Sequence, residues 1–401
     1  MIKLGCDDSL PGKWKWIKAQ DYIDVRDGTH DSPKAVAEGI PLVTSKNLVS
    51  GKVDFSTCTF ISQEDHNAIS KRSAVDDGDI LYAMIGTIGN PVIVDKTHDF
   101  SIKNVALFKF NNEAVYNRYV FHFLNSKLAE QQFRNKSRGG TQKFVSLGNI
   151  RELEIPLPPL AEQKRIAAIL DKADNLRRKR QQAIKLADEF LRAVFLDMFG
   201  DPVTNPKGWE IKTIQDVTLK VTDGVHFKPN YVDNGVPFIS VKDITTGKLK
   251  FDNTKFISQE DHIKYIKRCN PEYMDILYTK VGATYGRPAL IEVKKDFSLY
   301  VSVSLIKPDH EKINARFLCE VLATSALKRQ ADRSIKGAGV PDLHLIEIKQ
   351  FLLPVPALVI QEEYVNKTQN IRQKIELQKK SLVQLGDLFN SLSQKAFAGE
   401  L

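Results

Sequence analysis

A Glu-Asp-His tripeptide stands at residues 64–66 and again at residues 260–262. Two carboxylates beside an imidazole could hold a metal ion or relay a proton. The flanking residues assign them other work. Ser62 precedes Asp65 by three positions, Ser258 precedes Asp261 in the same way, and such a serine caps a helix N-terminus. Acidic residues in the first turn then meet the positive end of the helix dipole. The tripeptide is expected to begin a helix, not a reaction.

Other catalytic patterns fare no better. Pro341-Asp342 followed by Glu347-Ile348-Lys349 imitates a PD-(D/E)xK nuclease signature, but the gap is much shorter than that fold uses. The first half of the chain has Phe144, Asn149 and Arg151 at the matching positions. There is no G-x-x-x-x-G-K-[ST] loop, no G-x-G-x-x-G run between a strand and a helix, and no Asn-Pro-Pro-aromatic motif. The eight histidines form no HExxH, and Cys6, Cys58, Cys269 and Cys319 form no CxxC pair. The cysteines read as reduced thiols. The chain is expected to be non-catalytic, without metal or cofactor.

A net charge of +9 over 401 residues favours a polyanionic partner, nucleic acid first. No apolar run approaches a membrane span and the N-terminus lacks a signal-peptide core, so a cytoplasmic location is expected.

The elements that carry these residues occur twice. Phe60-Ile61-Ser62-Gln63-Glu64-Asp65-His66 returns letter for letter as Phe256 to His262, and Asp79-Ile80-Leu81-Tyr82 returns as Asp275 to Tyr278. The repeat predicts two mixed α/β globular domains related by a pseudo-two-fold axis, at 1–156 and 200–355. Strands are expected at Ile40–Thr44, Ile80–Ile85, Val92–Val94 and Val105–Phe110, and at Val236–Val241, Ile276–Val281, Leu290–Val293 and Val301–Ile306. Helices are expected near Tyr119–Gln131 and Arg316–Gln330. Ile155-Pro156-Leu157-Pro158-Pro159 and Leu353-Pro354-Val355-Pro356 read as stiff extended hinges, because proline lacks the ladder N–H.

A helix with no internal proline follows each hinge, over about 159–199 and 357–398, in segments spanning 157–199 and 356–401. Ile184, Ala187, Leu191, Val194 and Met198 form a heptad stripe in the first; Leu382, Leu385, Phe389, Leu392 and Ala396 form the matching stripe in the second. The stripes predict an antiparallel coiled coil, roughly 60 Å long at ~1.5 Å per residue, that acts as a spacer.

Paired loops could hold nucleic acid. Asp27-Gly28-Thr29-His30 with Lys34 matches Asp223-Gly224-Val225-His226 with Lys228. Thr87 and Asn90 lie in a glycine-flanked loop whose partner carries Thr284, Tyr285 and Arg287. A basic glycine-rich stretch with Arg138, Thr141, Gln142 and Lys143 is matched by one with Arg333 and Lys336. Lys46-Asn47 and Lys242 follow strand ends. The framework agrees between copies while these side chains differ, which predicts two readers of two different half-sequences.

This layout, with Gly28-Thr29-His30 and Pro33, Gly51-Lys52-Val53-Asp54-Phe55, Gly78-Asp79-Ile80-Leu81 and Gly86-Thr87-Ile88-Gly89, resembles the specificity subunits of type I restriction–modification systems. Ile155-Pro156-Leu157-Pro158-Pro159-Leu160-Ala161-Glu162-Gln163-Lys164-Arg165-Ile166 is the most specific mark, and the likeness spans both halves. The second copy departs from it, with Leu358-Val359-Ile360-Gln361 lacking the glutamate and Val340-Pro341-Asp342 replacing Gln142-Lys143-Phe144. The resemblance implies two target recognition domains reading a split double-stranded DNA sequence. It also implies assembly with methyltransferase (modification) subunits, two of them, and with restriction subunits that translocate and cleave. Competing readings are a stand-alone DNA-binding regulator, a single-chain nuclease and a coiled-coil scaffold.

Overall fold

The computed structural model describes residues 11–86, 88–136, 144–335 and 339–401. The chain forms two compact units. One runs to Ala183 and takes in Gln378–Leu401; the other is Ile184–Leu377.

In the first unit an antiparallel sheet runs in the order Asp24–Asp27, Val105–Lys109, Ile80–Ala83, Gly89–Ile93. Its two middle strands are buried along their whole length. Ala106, Phe108, Ile80 and Tyr82 enter one core, whereas Val105, Leu107, Leu81 and Ala83 enter another. The two-residue period of a strand produces this division. A sheet covered on both faces reads as continuous apolar runs, which is how these segments appear in the sequence. A smaller mixed sheet places Ile40–Val43 antiparallel to Thr59–Ile61 and parallel to Ser101–Ile102.

The second unit repeats both sheets. The larger runs Thr218–Asp223, Val303–Pro308, Ile276–Thr279, Pro288–Leu290, and the smaller runs Lys255–Ile257, Val236–Ile239, Ser298–Leu299. The last long strand begins at Val303, later than Val301, because the Val303 amide closes a turn onto the Tyr300 carbonyl at 3.0 Å.

Two expectations need correction. The proline runs are strands: Glu154–Leu157 pairs with Lys15–Lys18, and Leu352–Val355 pairs with Glu210–Thr213. Each pair is two-stranded, so every strand is an edge and a missing proline N–H can face away from the ladder. The helices expected as continuous after the sheets are each broken in two, as Asn117–Leu124 with Lys127–Lys136, and Ala315–Leu322 with Ser325–Ser334. Ser126 and Thr324 start the second segments, their hydroxyls accepting from the amides of Ala129 and Leu327.

The long helices span Leu160–Phe199 and Leu358–Ala398. Buried glutamines seat their first turns. Gln163 accepts from the Tyr116 amide at 2.8 Å and donates to the carbonyls of Ala114 and Pro158. Gln361 likewise accepts from the Asn314 amide and donates to the Pro356 carbonyl. Two turns later Asp171 accepts from Arg118 Nε at 2.7 Å and from His122 Nε2 at 2.8 Å. Burial would raise the Asp171 pKa, but these two donors outweigh it and hold the carboxyl well below its usual range.

Within the first unit Arg177 stacks over the Phe389 ring at 5.8 Å, Arg180 donates to Gln378, and Ile166 and Leu170 share a core with Ala396 and Phe397. Within the second, Phe195 and Phe199 pack on Tyr364, with Val194, Met198, Ile360 and Val365 around them. Of the predicted stripe, Leu191 and Ala396 are buried, and Ile184, Ala187, Val194, Met198, Leu382, Leu385, Phe389 and Leu392 are half-buried. Among the described residues no helix is long and apolar enough to cross a membrane.

Candidate nucleic-acid interface

Both Glu-Asp-His runs begin helices. Ser62 Oγ accepts from the Asp65 amide at 3.0 Å and Ser258 Oγ from the Asp261 amide at 3.1 Å. The imidazoles turn inward, with His66 Nδ1 2.9 Å from Ser101 Oγ and His262 Nδ1 2.9 Å from Ser298 Oγ. The helix Gln63–Ser73 is thus pinned at its start and along its buried face. Its last turn carries Arg72, and the equivalent position after Gln259–Ile266 is Arg268.

These arginines complete a site that the sequence shows only in part. Asp27 ends an edge strand of the larger sheet and is 3% exposed. Its carboxylate receives Arg72 on one oxygen and His30 Nε2, at 2.9 Å, on the other. His30 Nδ1 faces Asn104 Oδ1 at 2.9 Å. Bonds to Asn104 and then Asp27 raise the His30 pKa above the ordinary histidine value, since two acceptors favour a ring carrying two protons. In the second unit Asp223, 1% exposed, receives Arg268 at 2.5 Å, His226 at 3.1 Å and Lys280 at 3.1 Å. Lys280 replaces Met84 and Val301 replaces Asn104 at the matching positions.

The glycine of each turn is required by contact. A Cβ on Gly28 would lie 2.2 Å from the Ile102 carbonyl oxygen, and one on Gly224 would lie 1.9 Å from that of Leu299. No side chain fits there, so the turn rests on the neighbouring strand and lifts the histidine outward. A buried carboxylate that holds an exposed arginine and histidine fixes their direction, and such oriented donors suit phosphate or a base edge.

The remaining predicted residues are distributed over the two units. Lys34, Lys46, Asn90, Lys228, Lys242, Arg287 and Arg333 are exposed, and Thr29 and Thr284 are half-buried. Tyr285 donates to Asp332 at 2.5 Å and lies under the Lys328 ammonium. Asn90 joins Arg177 and Arg178 around a polar cavity of about 680 Å³ in the first unit. Asn47 is a correction: it is buried, accepting from Thr44 and donating to the Asp54 carbonyl and Thr57, so its amide is consumed within its own loop. Thr87, Arg138, Thr141, Gln142, Lys143 and Lys336 lie outside the described residues. Sequence reasoning missed Arg72 and Arg268, although Lys71-Arg72 and Lys267-Arg268 recur at the same distance past the two capping serines. Among the described residues no group of three or more His, Cys, Asp or Glu could hold a metal ion.

The family model of the type I restriction modification DNA specificity domain matches residues 11–186 and again residues 206–387. The chain belongs to this family. Similar specificity-domain proteins include the type I restriction enzyme MjaVIII specificity subunit of Methanocaldococcus jannaschii, 24% identical over 396 residues, with 94% of this chain and 90% of that one covered. The EcoBI specificity subunit of Escherichia coli is 24% identical over 394 residues, covering 91% and 80%. Among solved structures, the type I restriction–modification S subunit from M. genitalium superposes with a TM-score of 0.62 at 17% identity, over 98% of each chain. A chain from work on complex assembly of the type I R-M system gives 0.54 at 19% identity, over 98% and 100%. The specificity-domain fold, mixed α/β with long helices and present twice, is therefore the fold of this protein.

Proposed function

We propose that this chain is the DNA-sequence specificity subunit of a type I restriction–modification assembly and reads a bipartite, asymmetric target with one recognition domain per half. The observation that carries the reading is the duplicated Asp-Gly-x-His turn, with its arginine held on a buried carboxylate in each unit. The relatives' names and the net charge of +9 point the same way. Asymmetry follows from Met84 against Lys280 and Asn104 against Val301, which give one framework two chemistries.

Arg72→Ala and Arg268→Ala should each lower the slope of log affinity against log salt by about one, since each removes one phosphate contact's worth of counterion release. The measurement is fluorescence anisotropy of the assembled complex on its target across a salt series. Slopes unchanged in both variants would remove the clusters from the interface.

In this reading the chain is non-catalytic and acts on cytoplasmic DNA. Two modification subunits supply methylation, and restriction subunits supply cleavage. Recognition domains at 1–156 and 200–355 are joined by long helices that run antiparallel as a spacer. Arg177 against Phe389 and Arg180 against Gln378 support that sense, because residue numbers rise along one helix as they fall along the other. Adding one turn to both helices should change the number of unread bases between half-sites and leave the half-sites intact, read by methylome sequencing. An unaltered gap argues against the spacer.

A further inference from the structure

The second unit contains a cavity of about 370 Å³ beside its Asp223 cluster, which the first unit's sequence cannot reproduce. Val225, Leu299 and Cys269 contribute to its walls, while Phe227 and Tyr265 meet edge to face with ring centroids 5.7 Å apart. Phe227 is 59% exposed. Tyr265 continues inward to Phe238 at 6.4 Å, and Phe238 to Tyr300 at 6.0 Å. At the matching positions the first copy has Asp31, Ile69, Leu42 and Lys103 in place of Phe227, Tyr265, Phe238 and Tyr300. The aromatic group thus belongs to one copy of a duplicated framework, and folding of that framework does not require it.

Lone exposed apolar side chains are common and need no explanation. Phe227 differs because it lines a cavity together with three cationic or protonatable groups, His226, Lys264 and Arg268. Arg268 on Asp223 and Lys264 on Glu260 have more N–H donors than one carboxylate takes up, which suits an anion, and the ring faces suit a flat π-surface. A nucleotide has both. In a stacked duplex the π-faces are covered, so only a base out of the stack can offer one.

We propose that this cavity receives one base of the DNA target swung out of the helix, with Phe227 stacking on it and Arg268, Lys264 and His226 facing its phosphate. The proposal rests on the DNA-reading function above and adds a deformation of the duplex at one half-site only. Contacts to the flipped base then discriminate sequence partly through the ease with which each step unstacks.

The test uses the full chain assembled with its modification subunits, on target duplexes carrying 2-aminopurine at each position of both half-sites in turn. Beyond the base that each modification subunit itself extrudes for methylation, fluorescence should rise several-fold at one further position, within or beside the half-site read by residues 200–355, and at no further position in the other. Phe227→Asp, which installs the first copy's side-chain type, should abolish the rise and weaken binding about tenfold. Phe227→Trp should retain the rise, and an unchanged melting temperature certifies that both variants fold. Tight, footprinted binding with no brightened position beyond the methylated bases would overturn the flipped base while leaving the DNA-reading function standing. A rise at that further position that survives Phe227→Asp would overturn the assignment of the cavity. Failure to bind any duplex would overturn both.

Discussion

Lys109→Ala should cost the first unit about 3–5 kcal/mol of stability, because it strands a buried carboxylate. Lys109 lies on a middle strand of the larger sheet with its side chain 9% exposed. Its ammonium is 2.8 Å from Asp79, 2.7 Å from Asp76 and 3.0 Å from the Ala74 carbonyl. Burial acts against the lysine's charge, yet the two carboxylates outweigh it and leave its pKa above the ordinary value. Burial pushes the Asp79 carboxyl above its ordinary value against the pull of Lys109, and Asp79 also accepts from the Asp76 amide at 2.8 Å. The second unit repeats the arrangement, with Lys307 2.6 Å from Asp275 and 2.8 Å from Glu272. Urea denaturation should register the loss. The double variant Lys109→Met, Asp79→Leu should recover most of it, since removing both charges removes the uncompensated one. A single-variant cost below about 1 kcal/mol would show that water reaches Asp79 readily, as at surface pairs.

Phe199→Ala should destabilise the second unit by a similar amount, about 3–5 kcal/mol, by opening a cavity among aromatic rings. Phe199 is 2% exposed and lies 4.7 Å from the Phe317 ring and 5.1 Å from those of Tyr364 and Phe195. Its carbonyl accepts from Trp209 Nε1 at 2.9 Å, and Gly200 closes the helix with a positive φ of 76°. The last turn of the first long helix is thus fastened by packing and by a cap together. Phe199→Leu, which keeps most of the volume, should cost under about 1.5 kcal/mol. Thermal melting and limited proteolysis around residue 200 provide the readout. Equal proteolysis of the Ala variant and the parent chain would mean that this helix end is held by other contacts.

The capped helices and both long helices were readable from residue order because their signals are local. A serine three positions before an aspartate, or forty residues without proline, acts on the backbone that carries it. The breaks at Ser126 and Thr324 also had a local signal, the hydroxyl cap, but apolar periodicity continues across them and masks it. Asn47 was misread for a related reason. Thr44 three positions earlier marks a capping pair, yet a lysine beside an asparagine in a loop looks like a surface waiting for a ligand.

The proline strands and the arginines were not legible in the same way. Whether Pro156 sits in a ladder depends on Trp16, its partner across the sheet, and nothing near residue 156 announces that pairing. Lys71-Arg72 at a helix end reads as an ordinary solvated terminus until the fold brings Asp27 beneath it.

Residue order alone thus determined the duplication, the class of element in most segments and the divergence between copies, since periodicity, caps and repeats are properties of neighbouring residues. Tertiary structure alone decided which cations share a buried carboxylate, which polar groups are consumed internally, and that four scattered aromatics of the second copy join in a chain of ring contacts whose outer two line a cavity. Those outcomes follow from strand order and sheet packing, which join residues far apart in the chain through contacts that no local pattern encodes.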